Sequence, residues 1–168
     1  VLLEPAEVAG DGSAVISGRR GEHLRDVLRA GPGAVLQVGV VGGRLGRGTV
    51  RSLRGGEVAL EVVLDRDPPP RAPLDLLLAL PRPKILRRVL QAAASLGIPR
   101  IALVGSYRVE RSYFASPLLR PGAMAEQLRL GLEQGRDTVL PRVTVHRFFK
   151  PFVEEELERL APGALRLL

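Results

Sequence analysis

Arginine and tyrosine side chains cluster in two segments that the sequence pattern places in loops or at helix ends. Residues 106–114 read Ser-Tyr-Arg-Val-Glu-Arg-Ser-Tyr-Phe and contain both tyrosines of the chain. Residues 131–141 read Gly-Leu-Glu-Gln-Gly-Arg-Asp-Thr-Val-Leu-Pro and include Arg136. Guanidinium groups bind phosphates, and aromatic rings stack on unpaired bases. These residue types in these places therefore point to RNA as a ligand.

Each of these candidates also has a structural interpretation. Tyr107 and Tyr113 suit a buried core as well as a base-stacking surface. Arg108 and Arg111 can pair with nearby glutamates, and Arg136 can pack against the end of its own helix. The sequence leaves both interpretations open.

A third basic segment spans residues 19–29, and its pattern predicts a short helix over residues 22–29. The inward-facing residues would be Leu24, Val27 and Leu28. The basic residues before the helix or on its other side are Arg19, Arg20, Arg25 and Arg29. His23, at the helix start, suits capping or packing as well as an RNA contact.

Net charge supports a polyanionic partner. The 168 residues carry a formal charge of +7. Residues 82–111 hold seven bases and one acid, and residues 19–54 hold eight bases and two acids. Clustered bases favour a polyanion, with affinity that falls as salt rises. Because 23 of the 25 basic residues are arginine, a GC-rich genome is the competing explanation of this composition.

Several classes of function are excluded by what the chain lacks. It contains no cysteine and two histidines far apart, which excludes thiol chemistry and the usual zinc spacings. No apolar run approaches the ~20 residues of a membrane span, and no signal peptide is visible. We therefore predict a cytoplasmic protein without a metal. The chain starts with Val1 rather than Met, so we expect its native start to lie upstream.

The pattern predicts two domains joined by a proline-rich linker. Residues 1–67 read as a small β-barrel, and residues 68–73 as a stiff, extended connector. The predicted barrel strands cover residues 35–41, 48–53 and 57–64. Glycine pairs lie between these strands, and we assign the glycines of residues 43–48 to hairpin turns rather than to a phosphate-binding loop.

Residues 74–168 read as an α/β domain with a parallel sheet. Residues 74–80 form a continuous apolar run, which is typical of a strand covered on both faces. The remaining predicted elements, in chain order, are a helix over 83–96, a strand over 100–104, a helix from 122 or 123 to 136, a strand over 143–145, a helix over 151–160 and a strand from 165. The first helix has an inner stripe of Ile85, Leu86, Val89, Leu90, Ala93 and Leu96. Its opposite face carries Lys84, Arg87, Arg88 and Gln91, which suits either RNA or solvent.

Several motifs in one order resemble the RsmE family, the 16S ribosomal RNA uridine-N3 methyltransferases of the SPOUT class. The matching segments are Glu-His-Leu-Arg-Asp-Val-Leu-Arg-Ala-Gly-Pro-Gly at 22–33, Leu-Ala-Leu-Pro-Arg-Pro-Lys at 78–84, Gln-Ala-Ala-Ala-Ser-Leu-Gly-Ile at 91–98, Tyr-Arg-Val-Glu-Arg-Ser at 107–112 and Glu-Gln-Gly-Arg at 133–136 with Pro141. The resemblance implies a PUA-like RNA-binding barrel followed by a trefoil-knotted α/β domain. It also implies a homodimer that binds S-adenosylmethionine and 16S ribosomal RNA.

The same resemblance implies roles for the basic residues. The arginines of residues 19–29 would hold phosphates from the barrel, while Arg108, Arg111 and Arg136 would hold RNA near the catalytic crevice. The complete set of predicted RNA-binding residues is Arg19, Arg20, His23, Arg25, Arg29, Lys84, Arg108, Arg111 and Arg136.

The chain also departs from the family pattern. Ala92 and Ser95 stand where the family usually has lysine and glutamate. The arginine-containing start and the Gly-Pro-Glu-Gly-Gly and Leu-Arg-x-Glu-Thr-Ala segments of the family have no counterpart here. The resemblance therefore places the knot and the cofactor-binding loops after Leu168, and we assign no catalytic residue and expect no activity from residues 1–168 alone. The alternatives are a non-catalytic RNA-binding protein with a degenerate or truncated platform and a small α/β enzyme unrelated to RNA.

Overall fold

The computed structural model describes residues 1–26 and 29–166, apart from the Arg19 side chain, and it divides into two compact units. The first unit comprises Val1–Pro70 and Leu132–Leu140. The second comprises Arg71–Gly131 and Pro141–Leu168. The return of residues 132–140 to the first unit is a tertiary feature that the sequence pattern did not predict.

The first unit is built on a five-stranded sheet with the order β1-β3-β4-β5-β2. Its elements are β1 (Leu2–Leu3), a 3₁₀ turn (Pro5–Glu7), β2 (Ser13–Ile16), α1 (Gly18–Asp26), β3 (Val35–Val40), β4 (Leu45–Arg54) and β5 (Glu57–Arg66). Strand β1 pairs with β3 in parallel, and the other pairings are antiparallel. Alternation along β5 buries Val58, Leu60 and Val62 in the core of this unit.

The glycine-rich stretch between β3 and β4 corrects one prediction. Strand β4 begins at Leu45, so Gly46 lies within a strand and not in a hairpin turn, while Gly48 lies in a strand as the predicted range 48–53 had it. A Cβ on Gly46 would lie 1.8 Å from the Val63 carbonyl oxygen, and one on Gly48 would lie 2.9 Å from Val38 Cγ1. These glycines permit close contact between neighbouring strands.

Helix α1 begins earlier than the pattern predicted. It starts at Gly18 rather than at residue 22, and Arg20 therefore lies within its first turn. Leu24 is buried as predicted. The predicted inward positions Val27 and Leu28 lie outside the described residues.

The second unit contains three parallel strands in the order β6-β7-β8. Its helices and strands are β6 (Leu76–Ala79), α2 (Pro83–Ser95), β7 (Arg100–Val104), α3 (Pro121–Gly135), β8 (Arg142–His146), α4 (Phe149–Pro151) and α5 (Leu157–Leu160). Two 3₁₀ turns (Arg111–Ala115 and Pro117–Leu119) precede α3, and a π-helical turn (Phe152–Glu156) joins α4 to α5. Most elements predicted from the sequence are confirmed within a few residues.

Three predictions for this unit were wrong or are only partly described. Strand β6 is not covered on both faces, because the Leu77 side chain is 44% exposed. Leu96, predicted to face inward, lies just after the end of α2 and is 70% exposed. Leu165 and Arg166 are in no strand, and the rest of the predicted fourth strand, residues 167–168, lies outside the described residues.

Close packing of α2 against α3 depends on one glycine. A Cβ on Gly131 would lie 2.2 Å from the Gln91 carbonyl oxygen and 2.7 Å from Ala94 Cβ. The contact is reinforced by the Gln91 side-chain amide, which donates to Gln127 Oε1 at 2.8 Å. Gly131 therefore sets how closely these two helices approach.

We expect Gly131→Ala to lower the free energy of unfolding by about 2 kcal/mol, because overpacking outweighs the gain in helix propensity. Gly122→Ala, in the same helix with nothing within 4 Å of its Cβ, is the matched control and should be neutral or slightly stabilising. Urea unfolding of both variants checks the prediction. Equal stability of the two variants would contradict the packing role of Gly131.

Candidate nucleic-acid interface

A crevice of about 410 Å³ opens where β7 and β8 end, entirely within the second unit. It is lined by Gly105, Ser106, Tyr107, Arg147, Phe148, Phe149, Lys150 and Pro151. The carboxyl ends of parallel strands are where α/β proteins place ligands, because loops and side chains converge there. The crevice is therefore the candidate site of this unit.

The crevice floor is formed by two backbone segments that touch. The Gly105 amide donates to the His146 carbonyl oxygen at 2.8 Å, one residue beyond the end of β7. A Cβ on Gly105 would lie 2.1 Å from the Arg147 carbonyl oxygen and 3.1 Å from Phe114 Cζ. Only glycine allows these two strand ends to lie so close together.

His146, the last residue of β8, contacts three side chains next to the crevice. Its Nδ1 lies 3.3 Å from Glu156 Oε1, and its Nε2 lies 2.9 Å from Thr144 Oγ1. Its ring also packs on Phe152, with 4.4 Å between centroids, and Phe152 is 1% exposed. Both ring nitrogens thus have a partner, and these contacts hold the His146 ring in place at the end of β8.

Three aromatic rings face solvent at the crevice. Tyr107 is fully exposed, Phe148 is 72% exposed and Phe149 is 53% exposed. Beside them the Arg147 guanidinium lies over the Phe114 ring, 5.8 Å from its centroid, which is a cation–π contact. Exposed aromatic rings beside cations form the kind of surface on which single-stranded nucleic acids stack.

The predicted arginines of residues 106–114 lie in the loop that borders this crevice. Arg108 and Arg111 are both exposed. Their loop turns through a bond from the Val109 amide to the Ser106 carbonyl oxygen at 3.0 Å. The structure thus leaves both guanidinium groups accessible, on the same loop as Tyr107.

The predicted RNA contacts of the first unit have different surroundings. Arg20 forms an ion pair with Glu7 and donates to the Leu2 carbonyl oxygen at 2.8 Å, so it ties α1 to the start of the chain. Arg25 forms two bonds to Asp26, at 2.7 and 3.1 Å, while remaining exposed. This pair raises the pKa of Arg25 and lowers the pKa of Asp26. The remaining two described residues of this group, His23 and Arg29, are exposed, and the Arg19 side chain lies outside the described residues.

Residues 131–141 have a clear structural role. Arg136 has a left-handed backbone (φ 53°), and the Asp137 amide donates to the Leu132 carbonyl oxygen at 3.0 Å, which terminates α3. Thr138 is fully buried and donates from Oγ1 to the Gly43 carbonyl oxygen at 2.6 Å. The Arg136 side chain is exposed, and so is Lys84 on α2. The segment anchors to the turn after β3 while leaving one guanidinium accessible.

Sequence reasoning missed the contribution of residues 147–150 to the crevice. Arg147, Phe148, Phe149 and Lys150 follow a predicted strand directly, and a doubled phenylalanine between two bases was the available signal. Within the described residues, no group of three or more histidine or acidic side chains lies close enough to hold a metal ion. No described helix is long and apolar enough to cross a membrane.

Comparison with known proteins decides the family. Residues 68–165 match the model described as an RNA methyltransferase domain. The chain belongs to this RNA methyltransferase family. The match covers the strand ends that form the crevice, and it excludes the α/β enzyme unrelated to RNA.

Individual relatives agree with the resemblance read from the motifs. The chain is 36% identical over 160 residues to the ribosomal RNA small subunit methyltransferase E of Treponema pallidum (strain Nichols). That match covers 92% of this chain and 59% of the relative, so the chain spans about three fifths of the curated relative's length. The predicted membership of the RsmE family is thereby confirmed.

Solved structures show the same fold. The ribosomal RNA small subunit methyltransferase E of Neisseria gonorrhoeae, bound to S-adenosylmethionine, matches with a TM-score of 0.69 at 18% identity, covering 94% of this chain and 66% of that one. A protein of Legionella pneumophila in complex with bound S-adenosylmethionine matches with a TM-score of 0.65 at 18% identity, covering 93% and 66%. At such low identity these matches establish the α/β fold and nothing finer.

Proposed function

We propose that the protein is an S-adenosylmethionine-dependent methyltransferase that modifies N3 of a uridine in small-subunit ribosomal RNA. The single observation that carries this proposal is the family match over residues 68–165, which contains the crevice. The relatives' names supply the small ribosomal subunit as the substrate. The motif resemblance supplies uridine N3, a PUA-like barrel over residues 1–67, a knotted SPOUT domain, a homodimer and a cytoplasmic location.

The positive charge and the exposed aromatic rings of the crevice suit RNA. Its cations are Arg147 and Lys150, and no carboxylate is among its lining residues. The loop carrying Arg108 and Arg111 adds two accessible guanidinium groups on its border. Methyl transfer to a base nitrogen needs the base held in line with the donor and its proton removed. The residues of this chain would supply the first requirement by binding phosphates and stacking bases.

The same crevice does not fit S-adenosylmethionine. The cofactor carries a net positive charge through its sulfonium and ammonium groups, and Arg147 and Lys150 would repel it. Ribose hydroxyls are commonly bound by an acidic side chain, and none lines the crevice. The cofactor site therefore belongs elsewhere, which agrees with the resemblance placing the cofactor loops after Leu168.

We expect a chain ending at Leu168 to bind S-adenosylmethionine weakly, with a dissociation constant above about 1 mM, since the cofactor loops of the resembled family follow this residue. Calorimetric titration checks this expectation, with the complete Treponema pallidum relative as the positive control. Micromolar binding by residues 1–168 would show that the cofactor site lies within them.

The function is tested by methylation of ribosomal RNA. The native protein is incubated with unmodified small-subunit ribosomal RNA and S-adenosylmethionine, and the nucleosides are then separated and identified by mass spectrometry. The proposal expects N3-methyluridine and no other new nucleoside. A methyl group on another atom would retain the family and overturn the uridine-N3 assignment, while tight RNA binding without any methyl transfer would favour the non-catalytic RNA-binding alternative.

A further inference from the structure

We propose that the crevice at the ends of β7 and β8 is a stacking site for an unpaired base of the RNA. The rings of Phe148, Phe149 and Tyr107 would hold the base, and Lys150 would hold an adjacent phosphate. This inference rests on the proposed function, because it takes the RNA substrate of that function as its ligand. It adds the residues that select an unpaired nucleotide.

The distribution of aromatic residues is the first support. The chain has six aromatic residues, two tyrosines and four phenylalanines, and all lie within residues 107–152. Phe152 is buried, and Phe114 lies under the Arg147 guanidinium. Half of the aromatic residues are instead exposed at one crevice. Clustered exposed apolar surface marks a binding site, because water disfavours it without a ligand.

Charge identifies the ligand as RNA rather than protein. The exposed rings are interleaved with Arg147 and Lys150, and the adjoining loop carries Arg108 and Arg111. Glu154 approaches Lys150 at 3.8 Å, which leaves the ammonium group free to exchange this contact for a phosphate, since the Lys150 side chain is 82% exposed. Protein interfaces also combine aromatic rings with arginine, but lysine is depleted there, whereas grooves for single-stranded nucleic acid combine exposed rings with cations of either type.

A hydrogen bond, an ion pair and ring packing join the segments that form the crevice. The Gly105–His146 hydrogen bond joins its two sides, and His146 is fixed by Glu156 and Phe152. Its volume of about 410 Å³ lies within the usual range of sites for small organic groups, which includes a single nucleotide. A base can therefore stack on the exposed rings from the solvent side, without entering an enclosed cavity.

Single-stranded RNA with one 2-aminopurine tests the site, because stacking quenches the fluorescence of this base. The native protein is compared with Phe148→Leu and Phe149→Leu, which keep an apolar side chain but remove the flat ring. Phe148→Trp restores a ring, and Leu96→Ala removes an exposed apolar side chain of the same unit outside the crevice. Lys150→Gln removes the charge alone. Affinity is measured across a salt series, and sedimentation records the mass of each variant.

The proposal expects each leucine variant to weaken binding of unpaired RNA about tenfold and to lose the quenching, with an unchanged salt slope. Phe148→Trp and Leu96→Ala should bind like the native protein. Lys150→Gln should lower the salt slope by about 0.7, as one phosphate contact to a single strand does. Binding of duplex RNA should change little in the phenylalanine variants.

Three outcomes would overturn the inference. The first is that the leucine variants leave RNA binding and quenching unchanged. The second is that they change only the oligomeric mass, as substitutions in a protein interface would. The third is that they weaken S-adenosylmethionine binding alone. The function and the inference fail separately. If the native protein stacks an RNA base but does not methylate RNA, the proposed function is wrong and the stacking site stands. If methyl transfer and RNA affinity are unchanged in Phe148→Leu and Phe149→Leu, the proposed function stands and the stacking site is wrong.

Discussion

Gly105→Ala is expected to lower the free energy of unfolding of the second unit by about 3 kcal/mol. Its Cβ would lie 2.1 Å from the Arg147 carbonyl oxygen, so one of two paired strand ends must move. Forced overpacking costs ~1–3 kcal/mol, and this position is at the upper end because the opposing atom is backbone and not a flexible side chain. The Gly105–His146 hydrogen bond would be broken by the same displacement.

Urea unfolding followed by tyrosine fluorescence measures this effect in the right unit. The chain has no tryptophan, and both tyrosines, Tyr107 and Tyr113, belong to the second unit. Gly122→Ala is the control, because it lies in the same unit and nothing lies within 4 Å of its Cβ. If Gly105→Ala is as stable as the native protein, the ends of β7 and β8 separate easily, and their contact does not hold the crevice together.

In the full-length protein, replacing Arg108 and Arg111 together with glutamine is expected to reduce methyl transfer to ribosomal RNA at least tenfold. Both side chains are exposed on the loop that borders the crevice, so their loss removes phosphate contacts and leaves the core intact. The salt slope of single-stranded RNA binding should fall by about 1.4, which is two contacts at about 0.7 each. The free energy of unfolding should change by less than about 0.5 kcal/mol, as usual for surface substitutions.

The matched control removes the same charge elsewhere. Arg44→Gln with Arg66→Gln also lowers the net charge by two, but Arg44 is bonded to Asp67 and Arg66 to Gln37 on the first unit. Arg25→Gln with Arg29→Gln reports on the other predicted basic cluster in the same assay. If all three pairs give the same slope and the same rate of methyl transfer, the arginines near the crevice act only as general charge, and the RNA contacts predicted for them are wrong.

The local sequence pattern was sufficient to predict many of the helices and strands of the second unit. The predicted bounds of helix α2 differ from the observed ones by one residue, at the C-terminal end. The signals for this helix are local in the sequence: a proline at its start, apolar residues with a period of 3.6, and Gly97 after its end. Strands β7 and β8 were predicted from short apolar segments, β7 with its observed bounds and β8 within one residue at each end. The pattern failed at β1 and β2, which have two and four residues and become strands only through pairing with β3 and β5.

The sequence by itself determined the family, through several motifs in one order, and it determined that arginines and aromatic rings are concentrated on a few loops. Only the tertiary structure decided which of them are available to a ligand. Arg20 is held by Glu7, thirteen residues away, and Thr138 is buried against Gly43, ninety-five residues away. Phe148 and Phe149 read as core residues by type, yet they follow the end of β8 at His146 and are 72% and 53% exposed, whereas Phe152 is buried against the His146 ring. Burial depends on which distant segments meet, and no local pattern contains that information.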